Sequence, residues 1–334
     1  MDPKTEKSAF QTKTILRSLL NSAGLSPRKR LGQCFLIDRN LMAKLAGAAE
    51  LDPTDCVLEV GCGMGSLTAL LAAAAGRVVA VEVDPGLLEI AREQLAAHAN
   101  VLLVGADALK TKTVVAPEVI AAVVEAHRQA GGRLKLVANL PYDIATPLVI
   151  DLLIGGLPFE RYCFTVQEEV AARFLAQPGT ADFGPVAVIS QTLTTGRRLT
   201  KVPPQAFWPA PKVSSAMLRL DALPTDEVCI TDRHAFAQFV RVFFQSRRKT
   251  VSHIGKTLAS RAETSASRPE TSASRAETSA SRAVLGPGQS GEHTFLAALD
   301  TLGISHRARP ENITTDQWIS LFQAGVCPQR AEPL

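Results

Sequence analysis

Short apolar runs alternate with amphipathic stretches along the first two thirds of the chain. The runs at residues 56–60, 78–83, 101–104 and 134–138 consist mainly of apolar side chains, and Gly, Asn or Asp follows each of them. Such runs are typical of strands in a parallel sheet that is covered on both faces. Because the stretches between them carry apolar residues at helical spacing, the pattern predicts an α/β fold.

The same pattern predicts the elements that follow residue 138. An extra helix within residues 113–132 is expected to decorate the edge of the sheet. Further helices are expected at residues 145–154 and 168–176, and further strands at residues 162–167, 186–193 and 216–220. The predicted fold is therefore a sheet covered by helices on both faces, and its last strand ends near residue 222.

A change in composition near residue 223 divides the chain. The residues after it, beginning with the aromatic-rich stretch 232–244, have the spacing of helices. We predict an N-terminal arm over residues 1–26, a Rossmann-like sheet domain over residues 27–222, and a small all-helical domain over residues 223–334.

Three tandem heptapeptides interrupt the predicted helical domain at residues 261–281, with the sequences RAETSAS, RPETSAS and RAETSAS. They contain too few apolar side chains to bury a core, so we expect a disordered or loosely helical insertion. The repeat also lacks the pair of apolar positions that a coiled coil requires.

Composition excludes several classes of protein. The 334 residues carry a formal net charge of +4, which permits a nucleic-acid partner without requiring one. The six cysteines and six histidines are scattered without metal-ligand spacing, so we expect a reduced, cytoplasmic protein that binds no metal. The apolar stretch 67–76 is too short to span a membrane, and the N-terminal residues do not have the pattern of a signal peptide.

A glycine turn follows the first predicted strand of the sheet. It has the spacing Gly-x-Gly-x-Gly, with glycines at Gly61, Gly63 and Gly65, and Ser66 replaces the third glycine of a dinucleotide fingerprint. Glycines at such a turn let the backbone approach a ligand closely. Glu82 ends the next strand, where it can accept from both hydroxyls of a ribose, and Asp107 follows the third, where it can accept from an adenine amino group.

The tetrapeptide Asn139-Leu140-Pro141-Tyr142 follows the apolar run 134–138. This position places it at the carboxyl end of a buried strand, where open α/β sheets bind ligands. Taken alone, the tetrapeptide fits an ordinary turn equally well, because short motifs often occur by chance.

Basic and aromatic residues supply further candidates. A proline-set loop holds Phe207 and Trp208, which are either functional or anchors of the core. Two basic triplets, one beside Gly-Gln and one after the aromatic helix, are candidate phosphate contacts or solvated turns. The candidate contacts are Arg28, Lys29, Arg30, Arg247, Arg248 and Lys249.

With these residues in place, the chain resembles the small-subunit ribosomal RNA adenine dimethyltransferases, the family whose loss gives kasugamycin resistance. The resemblance covers residues 27–325 apart from the heptads, and it implies a class I methyltransferase domain followed by an RNA-binding domain. Its markers are RKRLGQCFL, EVGCGMGSLT, VEVD, NLPYDIATP, AFWPAPKVSSAMLRL, QSRRKT and RPENIT. The contacts to S-adenosylmethionine that it implies are Cys34, Leu36, Gly61, Gly63, Glu82, Asp107 and Asn139. Three positions depart from the family pattern: Cys34, Asp143 and Ala145.

The resemblance implies dimethylation of N6 on two adjacent adenosines in a hairpin loop near the 3′ end of 16S ribosomal RNA. The substrate would be a pre-30S particle, and the enzyme a cytoplasmic monomer. We expect the Asn139 amide oxygen and a carbonyl of Leu140 or Pro141 to accept the N6 hydrogens. Tyr142 would offer a face for the base, and Phe207 would close the other face.

Three other functions remain open on sequence grounds. A macrolide-resistance type of adenine methyltransferase would act on large-subunit RNA, but QSRRKT and RPENIT argue against it. A non-catalytic ribosome-assembly or nucleic-acid-binding factor would keep the fold without the reaction. A nicotinamide dehydrogenase fits least, given Ser66 and the tetrapeptide.

Overall fold

The computed structural model describes residues 12–28, 31–266 and 291–324, and the chain divides into two structural units. The first unit comprises the described residues of Met1–Ala172 and Thr195–Ala222, and the second those of Arg173–Thr194 and Leu223–Leu334. One boundary therefore falls after residue 222. Residues 173–194, however, group with the helical unit, because Phe183, Ala187 and Val188 lie in its core.

Seven strands form one sheet in the first unit, in the order β4-β3-β2-β7-β8-β11-β9. Neighbouring strands from β4 to β8 run parallel, and β11 runs antiparallel to β8. Two short sheets pair β1 with β10 and β5 with β6. The strands are β1 (Phe35–Leu36), β2 (Cys56–Val60), β3 (Arg77–Glu82), β4 (Val101–Gly105), β5 (Leu109–Thr111), β6 (Val114–Val115), β7 (Leu134–Asn139), β8 (Phe159–Gln167), β9 (Thr194–Val202), β10 (Phe207–Trp208) and β11 (Ser215–Ala222).

Helices cover the sheet and build the second unit. No helix among the described residues combines the length and the apolar character that crossing a membrane would require. The helices are α1 (Lys13–Ser22), α2 (Arg39–Ala48), α3 (Ser66–Ala72), α4 (Pro85–Gln94), α5 (Pro117–Ala130), α6 (Tyr142–Ile154), α7 (Glu168–Phe174), α8 (Pro185–Leu193), α9 (Arg233–Gln245), α10 (Val251–Ala266), α11 (Gly291–Thr301) and α12 (Thr315–Gln323).

Helix α5 packs on β2 and β3, so the expectation that it decorates the edge of the sheet was wrong. Its buried residues Val119, Val123 and Ala126 form one stripe at helical spacing, which faces the strands. Pro117 lies in its first turn, and Gly131, with φ of 77°, ends it. The helix thus forms part of the crossover from β4 to β7.

Residues 186–193 form helix α8 and not the predicted strand. The continuous apolar run fits a buried strand and a buried helix equally, so periodicity could not separate them. Pro185 occupies the first turn of the helix, where a missing N–H costs nothing. The polypeptide enters β9 directly at Thr194.

Residues 13–22, within the predicted N-terminal arm of residues 1–26, form helix α1, which packs against the first unit. Thr12 accepts a hydrogen bond at the start of α1, and Leu16 and Leu20 are buried. Both leucines belong to a cluster with Met64 and Leu87 of the first unit. Helix α1 is therefore part of that unit's core.

An aromatic core holds the second unit together. Phe239 and Phe243 of α9 lie edge-on to Trp318 of α12, with ring centroids 5.8 and 5.3 Å apart. Asp232 caps α9 by accepting from the backbone of Ala235. Most of the heptad segment, residues 267–281, lies outside the described residues, and α10 extends to Ala266 within the first heptad.

Candidate active site

The residues expected to bind a cofactor line one cavity of the first unit. It lies at the carboxyl ends of β2, β3, β4 and β7. Open α/β sheets bind ligands at this edge. The tetrapeptide that starts at Asn139 lines the same cavity. Its lining includes Cys34, Leu36, Gly61, Gly63, Glu82, Asp107 and Asn139.

The glycine turn between β2 and α3 lets two other segments approach the backbone. Gly61 and Gly63 have φ values of 77° and 57°, in the left-handed region that favours glycine. A Cβ atom on Gly61 would lie 3.0 Å from the ring of Pro141, and one on Gly63 would lie 3.1 Å from the ring of Phe35. The glycines therefore bring the tetrapeptide and Phe35 to the edge of the cavity.

Glu82 ends β3 as a fixed carboxylate. Its Oε2 accepts from the backbone N–H of Gly63, and its Oε1 accepts from that of Asp84, both at 2.9 Å. Burial raises the pKa of Glu82, and the two backbone hydrogen bonds oppose that shift. Each oxygen keeps a lone pair, so the group can still accept from a ligand's hydroxyls.

Glu59 also lines the cavity, although sequence reasoning assigned it no role. It is 2 % exposed, and its Oε2 has no hydrogen-bond partner among the described residues. Burial raises the pKa of Glu59 to about 8; the nearby Thr68 hydroxyl opposes this shift, and the charge of neighbouring Glu82 adds to it. The available signal was an acidic residue inside an apolar strand, CVLEV, because a buried carboxyl needs a partner or a function.

The amide of Asn139 has a fixed orientation at the end of β7. Its Nδ2 donates to the backbone carbonyl of Cys34 at 3.0 Å. Its Oδ1 is buried and has no partner among the described residues. Since an amide nitrogen only donates, the oxygen is the atom of this side chain that can accept from a ligand in the cavity.

The backbone carbonyls after Asn139 differ in their availability. The carbonyl of Pro141 accepts from Ile144 at 3.2 Å and from Ala145 at 3.1 Å, because α6 starts there. No described backbone N–H donates to the carbonyl of Leu140. Of the two expected acceptors, the Leu140 carbonyl is therefore the one without a described hydrogen bond. The departure from the family pattern at Ala145 leaves its backbone bond in place.

Tyr142 is held at its hydroxyl end. Its OH lies 2.7 Å from the hydroxyl oxygen of Ser215, which is buried in β11. Burial raises the pKa of Tyr142, and the hydrogen bond with Ser215 opposes that shift. Because the ring lines the cavity and its tip is tethered, the orientation of the ring is restricted.

Phe207 lies in the core and does not line the cavity. It is 3 % exposed and pairs with Leu36 across β10 and β1. A ring buried to this extent presents no free face to a base, so its position does not match the expected role. The alternative fits: Phe207 is an anchor of the core, and Trp208 stacks on Phe35 with ring centroids 6.4 Å apart.

The basic candidates fall into two groups. Arg28 pairs with Asp84 at 3.2 Å in the first unit, and Lys29 and Arg30 lie outside the described residues. Residues 247–249, in the second unit, are exposed after α9. Their contact with RNA stays a prediction. Within the described residues, no group of His, Cys, Asp or Glu side chains is arranged to hold a metal ion.

The sequence matches a family model described as ribosomal RNA adenine dimethylase over residues 24–280. A curated relative from Pelotomaculum thermopropionicum, named ribosomal RNA small subunit methyltransferase A, is 43% identical over 238 residues. That alignment covers 71% of this chain and 80% of the relative.

Two solved structures share the fold. A dimethyladenosine transferase from Plasmodium falciparum superposes with a TM-score of 0.66 at 22% identity, covering 85% of this chain and 94% of the other. A 23S rRNA methyltransferase, ErmE, superposes with a TM-score of 0.56 at 25% identity, covering 87% of this chain and 98% of the other. The predicted class I methyltransferase sheet with a helical C-terminal region is thereby confirmed.

Proposed function

The chain belongs to the ribosomal RNA adenine dimethylase family, and on that premise we propose that it acts on two adjacent adenosines of small-subunit ribosomal RNA. It is an S-adenosylmethionine-dependent adenine dimethyltransferase that modifies N6. The adenosines would lie in a hairpin loop near the 3′ end of 16S RNA within a pre-30S particle. The name of the curated relative, ribosomal RNA small subunit methyltransferase A, supports this choice over large-subunit RNA.

The cavity fits S-adenosylmethionine as the donor. Oε2 of Glu59 and Oδ1 of Asn139 are buried and lack hydrogen-bond partners among the described residues. A Cβ on Gly61 or Gly63 would intrude on neighbouring groups at the cavity's edge. We propose that Glu82 accepts from the ribose hydroxyls and Asp107 from the adenine amino group. When bound, the donor supplies a methyl group activated by a sulfonium. The residues of this chain bind and orient both reactants.

The unpartnered Oδ1 of Asn139 is the observation that carries the proposal. The exocyclic amine of adenine is a poor nucleophile, because its lone pair is delocalised into the ring. Acceptance of one N6 hydrogen by Asn139 and of the other by the Leu140 carbonyl would localise that lone pair on nitrogen. The Nδ2 bond to Cys34 keeps the acceptor in place before the base arrives.

Positioning of the two reactants accounts for the rest of the rate enhancement. Tyr142 offers a restricted aromatic face on which the target base can stack. No residue need act as a general base, since the alkylated amine is acidic and can release its proton to water. Alignment of the two bound reactants is then the main contribution of the site.

RNA recognition is assigned to the basic segments. A base inside structured RNA must be unstacked and extruded before it can enter such a cavity. We propose that Arg247, Arg248 and Lys249 contact phosphates of the RNA, since all three are exposed.

Radiolabelled methyl transfer to undermethylated ribosomal subunits tests the function. Small and large subunits should be assayed separately, each with labelled S-adenosylmethionine. We expect two methyl groups on each of two adjacent adenosines of the small subunit and no incorporation into the large subunit. Incorporation into large subunits alone would favour the macrolide-resistance activity. A failure to label either subunit, with donor binding intact, would favour a non-catalytic factor.

A further inference from the structure

Helix α1 contributes to one wall of the donor cavity through Leu16. Leu16 lines the cavity and is 2 % exposed, and it packs in a cluster with Leu20, Met64 and Leu87. Met64 and Leu87 line the same cavity from the glycine turn and from α4. The N-terminal helix is therefore part of the site and not only of the core.

Leu25, in the turn after α1, packs against Gly86 at the start of α4. Its backbone N–H donates to the carbonyl of Leu20 at 2.8 Å, which closes the end of α1. A Cβ on Gly86 would lie only 2.6 Å from a methyl carbon of Leu25. Glycine at position 86 thus leaves the space that Leu25 occupies.

The side chains of Arg28, Gln33 and Asp84 form a cluster, here called the clamp, at the start of α4. The guanidinium of Arg28 lies 3.2 Å from Oδ2 of Asp84, and Nε2 of Gln33 donates to that oxygen at 3.1 Å. Oε1 of Gln33 accepts from the backbone N–H of Arg28 at 2.7 Å. The Asp84 carboxylate is 4 % exposed, so removal of its cationic partner would leave a buried charge that is held only by hydrogen bonds from Gln33 and from the backbone of Gly86.

The clamp connects directly to the groups assigned to the donor. The backbone N–H of Asp84 donates to Glu82, the proposed ribose acceptor, at 2.9 Å. Gln33 immediately precedes Cys34, whose carbonyl holds the amide of Asn139. A loosened clamp would therefore disturb the α1 wall and the ribose acceptor, while the bond between Asn139 and the Cys34 carbonyl stays in place.

We propose that Arg28, Gln33 and Asp84 are positioning residues that hold Leu16 of α1 against the bound donor. This replaces the expectation that Arg28 contacts RNA. The inference rests on the proposed function in one respect, since it takes the cavity to bind S-adenosylmethionine.

Calorimetry with S-adenosylhomocysteine tests the clamp. Arg28→Ala should raise the dissociation constant by about tenfold, in the range usual for coupling between linked groups. In turnover assays the KM for the donor should rise while kcat at saturating donor is retained. Arg17→Ala is the matched control, because Arg17 is exposed on the same helix and carries the same charge. Its dissociation constant should stay at the wild-type value.

A second pair of variants tests the wall itself. Leu16→Ala should weaken binding in the same direction, whereas Ile15→Ala should not, because Ile15 is 44 % exposed on the same helix. This pair decides the question if Arg28→Ala does not fold.

The outcomes separate the two proposals. If the wild-type chain does not bind S-adenosylhomocysteine, the proposed function fails. If the wild-type chain binds it and either Arg28→Ala or Leu16→Ala binds it equally well, the clamp is overturned. A raised KM for the ribosomal subunit with unchanged donor affinity in Arg28→Ala would also overturn it and return Arg28 to the RNA contacts.

Discussion

The side-chain nitrogen of Asn139 lies 3.0 Å from the backbone carbonyl oxygen of Cys34 and donates a hydrogen bond to it. The bond joins the end of β7 to the residue just before β1. Where the family usually has asparagine, this chain has a cysteine, so a side-chain amide is absent at position 34. Because the bond uses the backbone of Cys34, it does not depend on which side chain stands there.

Asn139→Ala removes both the acceptor and the bond to Cys34. Loss of one preorganised hydrogen-bonding group in an active site typically lowers kcat by about 10²–10³, and we expect a fall of that order. Single-turnover methyl transfer at saturating donor measures it. Asn100→Ala is a suitable control, because the Asn100 amide only donates to the carbonyls of Ala72 and Ala75. The control should lower stability and keep kcat; equal kcat in Asn139→Ala and the wild type would contradict the mechanism.

Gly61→Ala should disrupt the contact between the glycine turn and Pro141. The new Cβ would lie 3.0 Å from the proline ring, in addition to the strain of φ at 77°. Gly156→Ala carries the strain alone, since Gly156 has φ of 80° and nothing within 4 Å of its Cβ position. Donor affinity by calorimetry and thermal stability should be measured for both. We expect similar losses of stability from strain, with loss of donor binding in Gly61→Ala only; equal donor affinity in the two variants would show that the contact does not matter.

Tyr142 variants separate the ring from its hydroxyl. Tyr142→Phe keeps the aromatic face and loses the bond to Ser215, so it should lower the free energy of unfolding by about 1 kcal/mol and keep most of the activity. Tyr142→Ala removes a stacking surface worth roughly 1–3 kcal/mol per base, so kcat/KM for the subunit should fall about tenfold or more. Ser215→Ala should resemble Tyr142→Phe in both assays. An active Tyr142→Ala enzyme would exclude a stacking role.

The raised pKa of Glu59 predicts that the stability of the protein depends on pH. Burial raises its pKa from 4.5 to about 8 in the folded protein. Between these values the unfolded chain has lost a proton that the folded protein keeps, so the free energy of unfolding falls as pH rises. The stabilising contribution is complete below pH 4.5 and is lost as pH approaches about 8, with a slope of up to about 1.4 kcal/mol per pH unit.

Glu59→Gln provides the comparison for that dependence. The amide has nearly the same shape and does not titrate, so its advantage over the wild type should grow as pH rises through this window. Urea unfolding of both proteins at several pH values measures the difference. Parallel profiles for the two proteins would show that Glu59 is ionised in the folded state.

Sequence patterns were sufficient where the chemistry is local. The Gly61 turn, Glu82, Asp107 and the tetrapeptide at Asn139 each follow an apolar strand, and parallel strands place their carboxyl ends at one edge. Their meeting in one cavity was therefore predictable from order along the chain. The fold class followed from the same alternation, because strand and helix periods differ.

Tertiary structure decided whatever depended on partners that are distant in sequence. Residues 186–193 are helical because their apolar side chains bury in the second unit, which periodicity could not show. Phe207 packs in the core because β10 pairs with β1. Its partner in that pairing, Leu36, lies 171 residues earlier in the chain. Arg28 pairs with the buried carboxylate of Asp84, since α1 returns the chain to α4.

The sequence by itself determined which strands end in functional groups, since the period of each element sets where its last residue points. Only the folded chain decided which of those groups remain free. The Asn139 side-chain nitrogen donates to the Cys34 carbonyl, which fixes the amide and leaves its oxygen free. Glu59 has a raised pKa because burial disfavours its charged form. Both effects depend on desolvation and on hydrogen-bond partners brought together by folding, and a linear pattern contains neither.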